Sequence, residues 1–280
     1  MADQRVRTVT LQQMKREGRK ITVLTAYDYP MALLLDRAGI DLILVGDSGG
    51  MAALGYETTI PVTMDEMLMM TKAVTRAVTR ALVVADMPFM SYEAEPAEAV
   101  RNAGRFVKEG LAHGVKVERG LPSLPAVRAI VEAGIPVMGH VGLTPQTVVL
   151  REGFKVQGKG LDAARRILDD ALALEKVGVF AVVLEAIPSS LARIISERLT
   201  VPTIGIGAGP DCDGQVLVTH DLLGLFERFA PRFTKRYADL AKVIGDAVSR
   251  YRDEVIEGRF PDAAHSFSID RETERALLQE

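Results

Sequence analysis

The chain has 280 residues, 48% of them hydrophobic and 25% charged, with a net charge of −3. That is the make-up of an ordinary globular protein, long enough to bury a large core, and it lacks the basic excess of a nucleic-acid binder. A single cysteine, Cys212, excludes a disulfide within the chain and fits a reducing, cytoplasmic setting; the charged stretch from Met1 to Gly18 is no secretory signal, and no apolar run is long enough to span a bilayer.

In chain order, Thr8–Gly18 predicts a leading helix, placed to cover one end of the fold. Eight short apolar runs follow: Ile21–Thr25, Leu42–Gly46, Leu82–Ala85, Val115–Val117, Pro136–Gly139, Ala181–Leu184, Thr203–Ile206 and Gln215–Val218. Most are Val/Ile/Leu-rich without polar alternation, as parallel strands covered on both faces should be. Amphipathic stretches separate them: Pro30–Ala38, Met64–Val78, Pro96–Glu109, Leu124–Ala133, Leu161–Val177 and Leu191–Arg198. Gly39, Gly110, Gly134 and Gly178 stand where helices should stop. Phe233–Glu257 predicts a closing helix, and the residues after about Phe260 read as a tail. Repeated β–α units demand a parallel sheet, and eight of them favour closure into one (β/α)₈ barrel over 1–280, with no linker to divide it.

The acidic residues are placed informatively. Asp47, Asp86, Glu118 and Glu185 each come directly after a strand core, at its C-terminal end. In a barrel those ends converge on the face that carries active sites. Carboxylates gathered there are costly unless paired, hydrogen-bonded or bound to a cation, and hard oxygen donors favour Mg²⁺. The plainer reading of any one of them is a helix N-cap, with Asp47 before Ser48 the best case. Lys116 lies two residues before Glu118, so both side chains face the same way. It either neutralises a substrate oxygen, pairs with Glu118, or forms a Schiff base. His140 ends the next strand, as a substrate or proton-handling group or as a neutral, hydrogen-bonded barrel histidine. The run Gly205–Gly209 either holds a phosphate on backbone N–H groups or serves close packing. Arg76 and Arg80 read as solvated helix charges.

At this point the chain resembles a known family. The carrying motifs are Val45-Gly46-Asp47-Ser48, Leu54-Gly55-Tyr56 with Pro61-Val62-Thr63, Ala85-Asp86-Met87-Pro88-Phe89 with Ser91-Tyr92, and Val115-Lys116-Val117-Glu118. They continue in Gly139-His140-Val141-Gly142-Leu143-Thr144-Pro145-Gln146, in Gly153-Phe154-Lys155-Val156-Gln157-Gly158, and in Gly205 to Gly214 with Gln215-Val216-Leu217. They are similar to the ketopantoate hydroxymethyltransferases over roughly Thr8 to Phe267. The resemblance implies a barrel of the phosphoenolpyruvate/pyruvate type. It implies transfer of a one-carbon unit from 5,10-methylenetetrahydrofolate to the α-keto acid 3-methyl-2-oxobutanoate, giving 2-dehydropantoate for pantothenate synthesis, in a large homo-oligomer. By motif, Asp47 and Asp86 would ligate Mg²⁺ or another divalent cation, with Glu118 holding it through water. Asp47, Ser48, Asp86 and Lys116 would contact the keto acid, and Glu185 would be the base that takes its C3 proton.

Two positions depart from the family pattern. Arg119-Gly120 stands where two glycines are usual, and Gly49 follows Ser48 where a larger residue is common. Two rival functions fit the same acidic cluster: a Mg²⁺-dependent lyase or aldolase of the pyruvate-enolate type, and a barrel that binds a small acid without catalysis.

Overall fold

The computed structural model describes residues 5–148, 155–228 and 231–279. Eight parallel strands close into a barrel in sequence order: β1 (Ile21–Thr25), β2 (Leu42–Val45), β3 (Leu82–Asp86), β4 (Gly114–Glu118), β5 (Val137–Gly142), β6 (Ala181–Glu185), β7 (Thr203–Ile206) and β8 (Gly214–Leu217), with β8 paired back to β1. The register sets Asp86 beside Lys116 and Glu118 beside His140. Strand side chains alternate between two cores. Ile43, Val45, Val83, Ala85, Val115, Val117 and Val182 face outward into the layer under the helices. Ile21, Val23, Leu42, Leu44, Leu82, Val84, Met138, Ala181, Val183, Ile204 and Val216 fill the barrel itself. With both faces buried, these runs lack the alternation of a half-exposed strand.

The helices are α1 (Thr8–Arg16), α2 (Tyr29–Arg37), α3 (Gly49–Ala52), α4 (Met64–Ala77), α5 (Pro96–Lys108), α6 (Leu124–Glu132), α7 (Pro145–Val148), α8 (Leu161–Lys176), α9 (Ser189–Arg198), α10 (Thr219–Leu222), α11 (Leu240–Ile256) and α12 (Arg271–Leu277). Helix α4 starts at a capping box, in which Thr63 and Glu66 satisfy each other's free N–H groups. Helix α1 closes the barrel floor: Leu11 and Met14 join the inner barrel core, and Lys15 pairs with Asp213 at 2.7 Å. Burying those two side chains stabilises the lid by on the order of 2 kcal/mol each.

Several expectations need correction. The closing helix begins at Leu240, not Phe233; residues 231–239 are irregular and carry Phe233 to the barrel mouth. The tail after Phe260 holds a 3₁₀ turn at Ala263–His265 and then α12. Three of the four glycine stops have positive φ, but at the fourth the left-handed residue is Leu111 rather than Gly110. Arg80 is not a free surface charge: its guanidinium reaches Asp41 at 3.0 Å and the Ile40 carbonyl at 2.9 Å. Of the Gly153–Gly158 motif, Gly153 and Phe154 lie outside the described residues.

Candidate active site

The inner parity of the strands decides which side chains meet at the C-terminal mouth. Thr25, Asp86, Lys116, Glu118, His140, Glu185 and Ile206 continue the inward-facing rows, with Asp47 and Ser48 just beyond β2. All line a single cavity of about 310 Å³. Each of the sequence-predicted site residues is therefore at this cavity.

The charged groups interlock. Lys116 Nζ lies 3.0 Å from Asp86 Oδ1, 3.6 Å from Glu118 Oε1 and 3.1 Å from His140 Nδ1. His140 Nδ1 is also 3.2 Å from Glu118 Oε1, while its Nε2 is 3.2 Å from Glu185 Oε2. The backbone N–H of Asp47 donates to Asp86 Oδ2 at 3.1 Å. Asp47 is not the helix cap, which falls to Ser48; its own carboxylate accepts from Gln146 Nε2 at 3.0 Å. Ser48 Oγ shares a 2.8 Å hydrogen bond with the Tyr27 hydroxyl.

Burial and like charge act together on these groups. Burial, then the neighbouring Asp86 and Glu118, raise the Asp47 pKa to about 8. Asp86 is also raised, by burial against the pull of Lys116. Burial works to discharge Lys116, but Asp86, Glu118 and Asp47 outweigh it and hold the ammonium charged. Burial likewise works to protonate Glu118, and His140 and Lys116 outweigh it and keep the carboxylate ionised. For His140, burial and the Lys116 charge oppose protonation, yet Glu118 and the hydrogen bonds to Glu118 and Glu185 raise its pKa to about 9. Nδ1 can donate to Glu118 or accept from Lys116, not both at once.

Backbone strain aims the strand-end acids. Arg119 follows Glu118 with φ 85, and Ala186 follows Glu185 with φ 47. Left-handed backbone costs such residues on the order of 1–2 kcal/mol each, and it turns the chain away while the carboxylate stays at the cavity. Arg119 thus occupies a position whose geometry suits glycine. Gly49 is explained by its neighbours, since a Cβ there would come within 2.7 Å of both the Tyr27 ring and Met70 Sδ. The Gly205–Gly209 run serves close packing, because Cβ atoms at 205, 207 and 209 would strike Cys212, the Phe233 ring and Ser189.

Sequence reasoning assigned no role to Gln146, which is the hub of the charged wall. Fully buried, it donates through Nε2 to Asp47 and to the Met87 carbonyl at 3.0 Å, and through its backbone N–H to Glu118 at 3.3 Å. Its Oε1 accepts from the Tyr92 hydroxyl at 2.6 Å. Also unassigned were Lys155, Asp221, Phe226, Arg232 and Phe233, which line the outer mouth. They sit on loops or, for Asp221, on the four-residue helix α10, segments with no period to betray them.

Among the described residues, no three carboxylate, imidazole or thiol groups stand gathered about one point as ready ligands; Lys116 occupies the space between Asp86 and Glu118. Even so, the three buried carboxylates Asp47, Asp86 and Glu118 share the single ammonium of Lys116, and Asp86 Oδ1 and Glu118 Oε1 are met only by ion-pair contacts to Lys116 and His140. That leaves hard anionic oxygens crowded beside a carboxyl already forced toward its neutral form, which is the electrostatic problem a divalent cation solves.

A closed parallel barrel with acid–base groups at its C-terminal mouth defines an enzyme of the α/β-barrel class. Solved structures agree on the fold. Phosphonopyruvate hydrolase, in complex with oxalate and Mg²⁺, aligns with a TM-score of 0.61 at 15% identity, over 98% of this chain and 95% of that one. A phosphoenolpyruvate phosphomutase from Streptomyces platensis subsp. rosaceus aligns with a TM-score of 0.61 at 17% identity, over 97% and 94%. Sequence comparison is more specific. The family model described as ketopantoate hydroxymethyltransferase matches residues 5–263. The 3-methyl-2-oxobutanoate hydroxymethyltransferase of Moorella thermoacetica is 61% identical over 263 residues, 94% of this chain and 98% of that protein. The enzyme of the same name from Trichlorobacter lovleyi is 60% identical over 255 residues, 91% and 96%. The chain belongs to the ketopantoate hydroxymethyltransferase family. It is a transferase, as the expectation from its motifs had it.

Proposed function

We propose that this cavity removes the C3 proton of 3-methyl-2-oxobutanoate and joins that carbon to a one-carbon unit carried by 5,10-methylenetetrahydrofolate. The product is 2-dehydropantoate, a precursor of pantothenate. The relatives' shared name supports the reaction, and one observation in this chain carries it: Glu185 stands at the cavity 3.2 Å from His140, facing a buried cluster of three carboxylates and one lysine.

Asp47, Asp86 and Glu118 would hold the divalent cation, with Mg²⁺ the natural match to their hard oxygens. Bound there, the ion supplies Lewis-acid pull on the keto oxygen, which lowers the cost of losing the C3 proton. The chain's own groups do the rest. Asp47 and Asp86 also meet the substrate. Ser48, held by Tyr27, offers its hydroxyl to the substrate carboxylate. Lys116 remains charged and faces the oxygen on which negative charge develops. Glu185 takes the C3 proton. His140 reaches both carboxylates and the cavity, so it orients Glu185 while touching the keto acid. Water adds to the folate's methylene carbon and its C–N bonds break, releasing tetrahydrofolate and a formaldehyde-level carbon; C3 bonds to that carbon, whose oxygen takes a proton to become the hydroxyl.

The reading extends to assembly and place. Helix α11 has no buried residue and exposes Val243, Ile244, Val248, Tyr251 and Val255. An uncovered apolar stripe of this kind supports a homo-oligomer in which a second copy covers it. Among the described residues no helix is long and apolar enough to cross a membrane, and the one cysteine is free, which supports a cytoplasmic enzyme.

The test is product formation by the purified chain from 3-methyl-2-oxobutanoate, Mg²⁺ and methylenetetrahydrofolate, read by mass spectrometry. A hydroxymethylated keto acid that requires all three is expected. A cleavage product formed from a related acid without folate would replace this reading with a lyase.

A further inference from the structure

The charged wall accounts for the keto acid but leaves the rest of the cavity without an assigned ligand. The opposite wall is apolar: Ile206, Val216, Val218 and Phe226 line it, and the Phe233 ring lies against Gly207 at the rim. One ionisable side chain interrupts it. Asp221, on the short helix α10, is partly buried at this wall, and no described side chain or backbone N–H hydrogen-bonds to its carboxylate. Burial raises its pKa to about 6, and the one opposing influence is the charge of Arg236, which does not come within ion-pair reach. At neutral pH the group is therefore a half-desolvated anion with two free acceptor oxygens.

An acceptor pair set into a flat apolar wall selects a particular chemistry. It repels a second anion, so it does not serve the keto acid. It accepts two parallel N–H bonds from a planar, uncharged ring whose neighbouring donors match the two carboxylate oxygens. The 2-amino group and N3–H of a reduced pterin form such an edge, and the pterin faces suit the apolar side chains. Further out, the exposed cations Lys155 and Arg232 line the same mouth, where the carboxylates at the other end of a folate would emerge. Resting on the folate-dependent reading above, we propose that Asp221 recognises the amino-amide edge of the folate's pterin ring, held against the wall of Ile206, Val218, Phe226 and Phe233.

Calorimetric titration under anaerobic conditions tests this with two probes, tetrahydrofolate and 6-methyltetrahydropterin, which keeps the ring and lacks the tail. Wild type is expected to bind both. Asp221→Ala and the near-isosteric Asp221→Asn are expected to weaken both by about 10- to 100-fold, the loss of a charge-assisted pair. Binding within twofold of wild type in both variants overturns the proposal. So does a loss confined to tetrahydrofolate, which would set Asp221 against the tail. Deuterium exchange at C3 of the keto acid, measured without folate, reports on the charged wall in the same variants; a parallel loss of exchange also overturns the assignment. Failure of the underlying reading looks different: wild type would then exchange the C3 proton and form no folate-dependent product.

Discussion

The two walls of the cavity are built on different principles. From β2 to β5 the wall is charged, buried and internally bonded: Asp47, Asp86, Lys116, Glu118 and His140 each contact another member, and Gln146 ties the cluster to the loop behind it. From β7 onward the wall is apolar, open at its rim, and carries the single half-buried Asp221. Glu185, on β6, stands at the boundary between them. A wall of crowded carboxylates suits a cation and an anionic substrate whose charge changes during reaction. An apolar wall suits a flat donor that must be held without being ionised. The division places Glu185, the proposed base, where the two ligands would meet.

The largest expected effect lies at that boundary. Glu185→Gln keeps the shape of the side chain and removes its basicity, so C3 proton exchange should fall by about 10²- to 10⁴-fold while Mg²⁺ affinity stays near wild type. Exchange at the wild-type rate would move the base to another residue and erase the boundary.

A second prediction concerns the charged wall without its cation. Asp47 titrates at about 8 in the folded chain and in the ordinary carboxylate range when unfolded. Between those values the folded state holds the extra proton, so stability should fall as pH rises through that window and level off above about 8. Mg²⁺ should reverse the loss, adding about 2.7 kcal/mol at a hundredfold excess over its dissociation constant. Thermal melts in chelator and in Mg²⁺ from pH 5 to 9 check this. A Mg²⁺ effect that is equal at every pH would mean that these carboxylates do not bind the ion.

Smaller effects sharpen the same contrast. Gln146→Ala leaves Asp47 and the Tyr92 hydroxyl without partners and should cost about 2 kcal/mol in denaturant melts, with weaker Mg²⁺ binding. Arg119→Gly removes left-handed strain of about 1–2 kcal/mol but restores backbone freedom to the unfolded chain, worth about 0.5–1 kcal/mol. The net should be a gain of no more than about 1 kcal/mol, with the melting temperature as readout. A large loss would mean that the Arg119 side chain itself holds the loop.

Much of the charged wall was legible in the sequence, because it rides on regular structure. Runs such as Leu82–Ala85 and Ala181–Leu184 announce buried parallel strands, and the acid directly after each is placed by strand geometry; Asp47, two residues beyond β2, reaches the cavity from the turn that follows. Lys116 and Glu118 share a face for the same reason. What escaped was set by loops. Gln146 reaches the cluster from the first turn of the four-residue helix α7, and Asp221 and Phe233 reach the mouth from segments with no apolar period. The closing helix was extended too far toward Phe233 because apolar and basic residues there mimic a helix pattern, whereas the ring is drawn instead onto Gly207. Arg80 was misjudged because its partners, Asp41 and the Ile40 carbonyl, are distant in the chain.

The most direct test of the two-wall account is proton NMR of 3-methyl-2-oxobutanoate in D₂O with the wild-type protein, first with Mg²⁺ alone and then with methylenetetrahydrofolate. The account predicts loss of the C3 proton signal with Mg²⁺ alone, abolished by chelator, and a hydroxymethyl product only after folate is added. Exchange that survives chelation, or a C3 proton that stays in place with Mg²⁺, folate and protein all present, would contradict it.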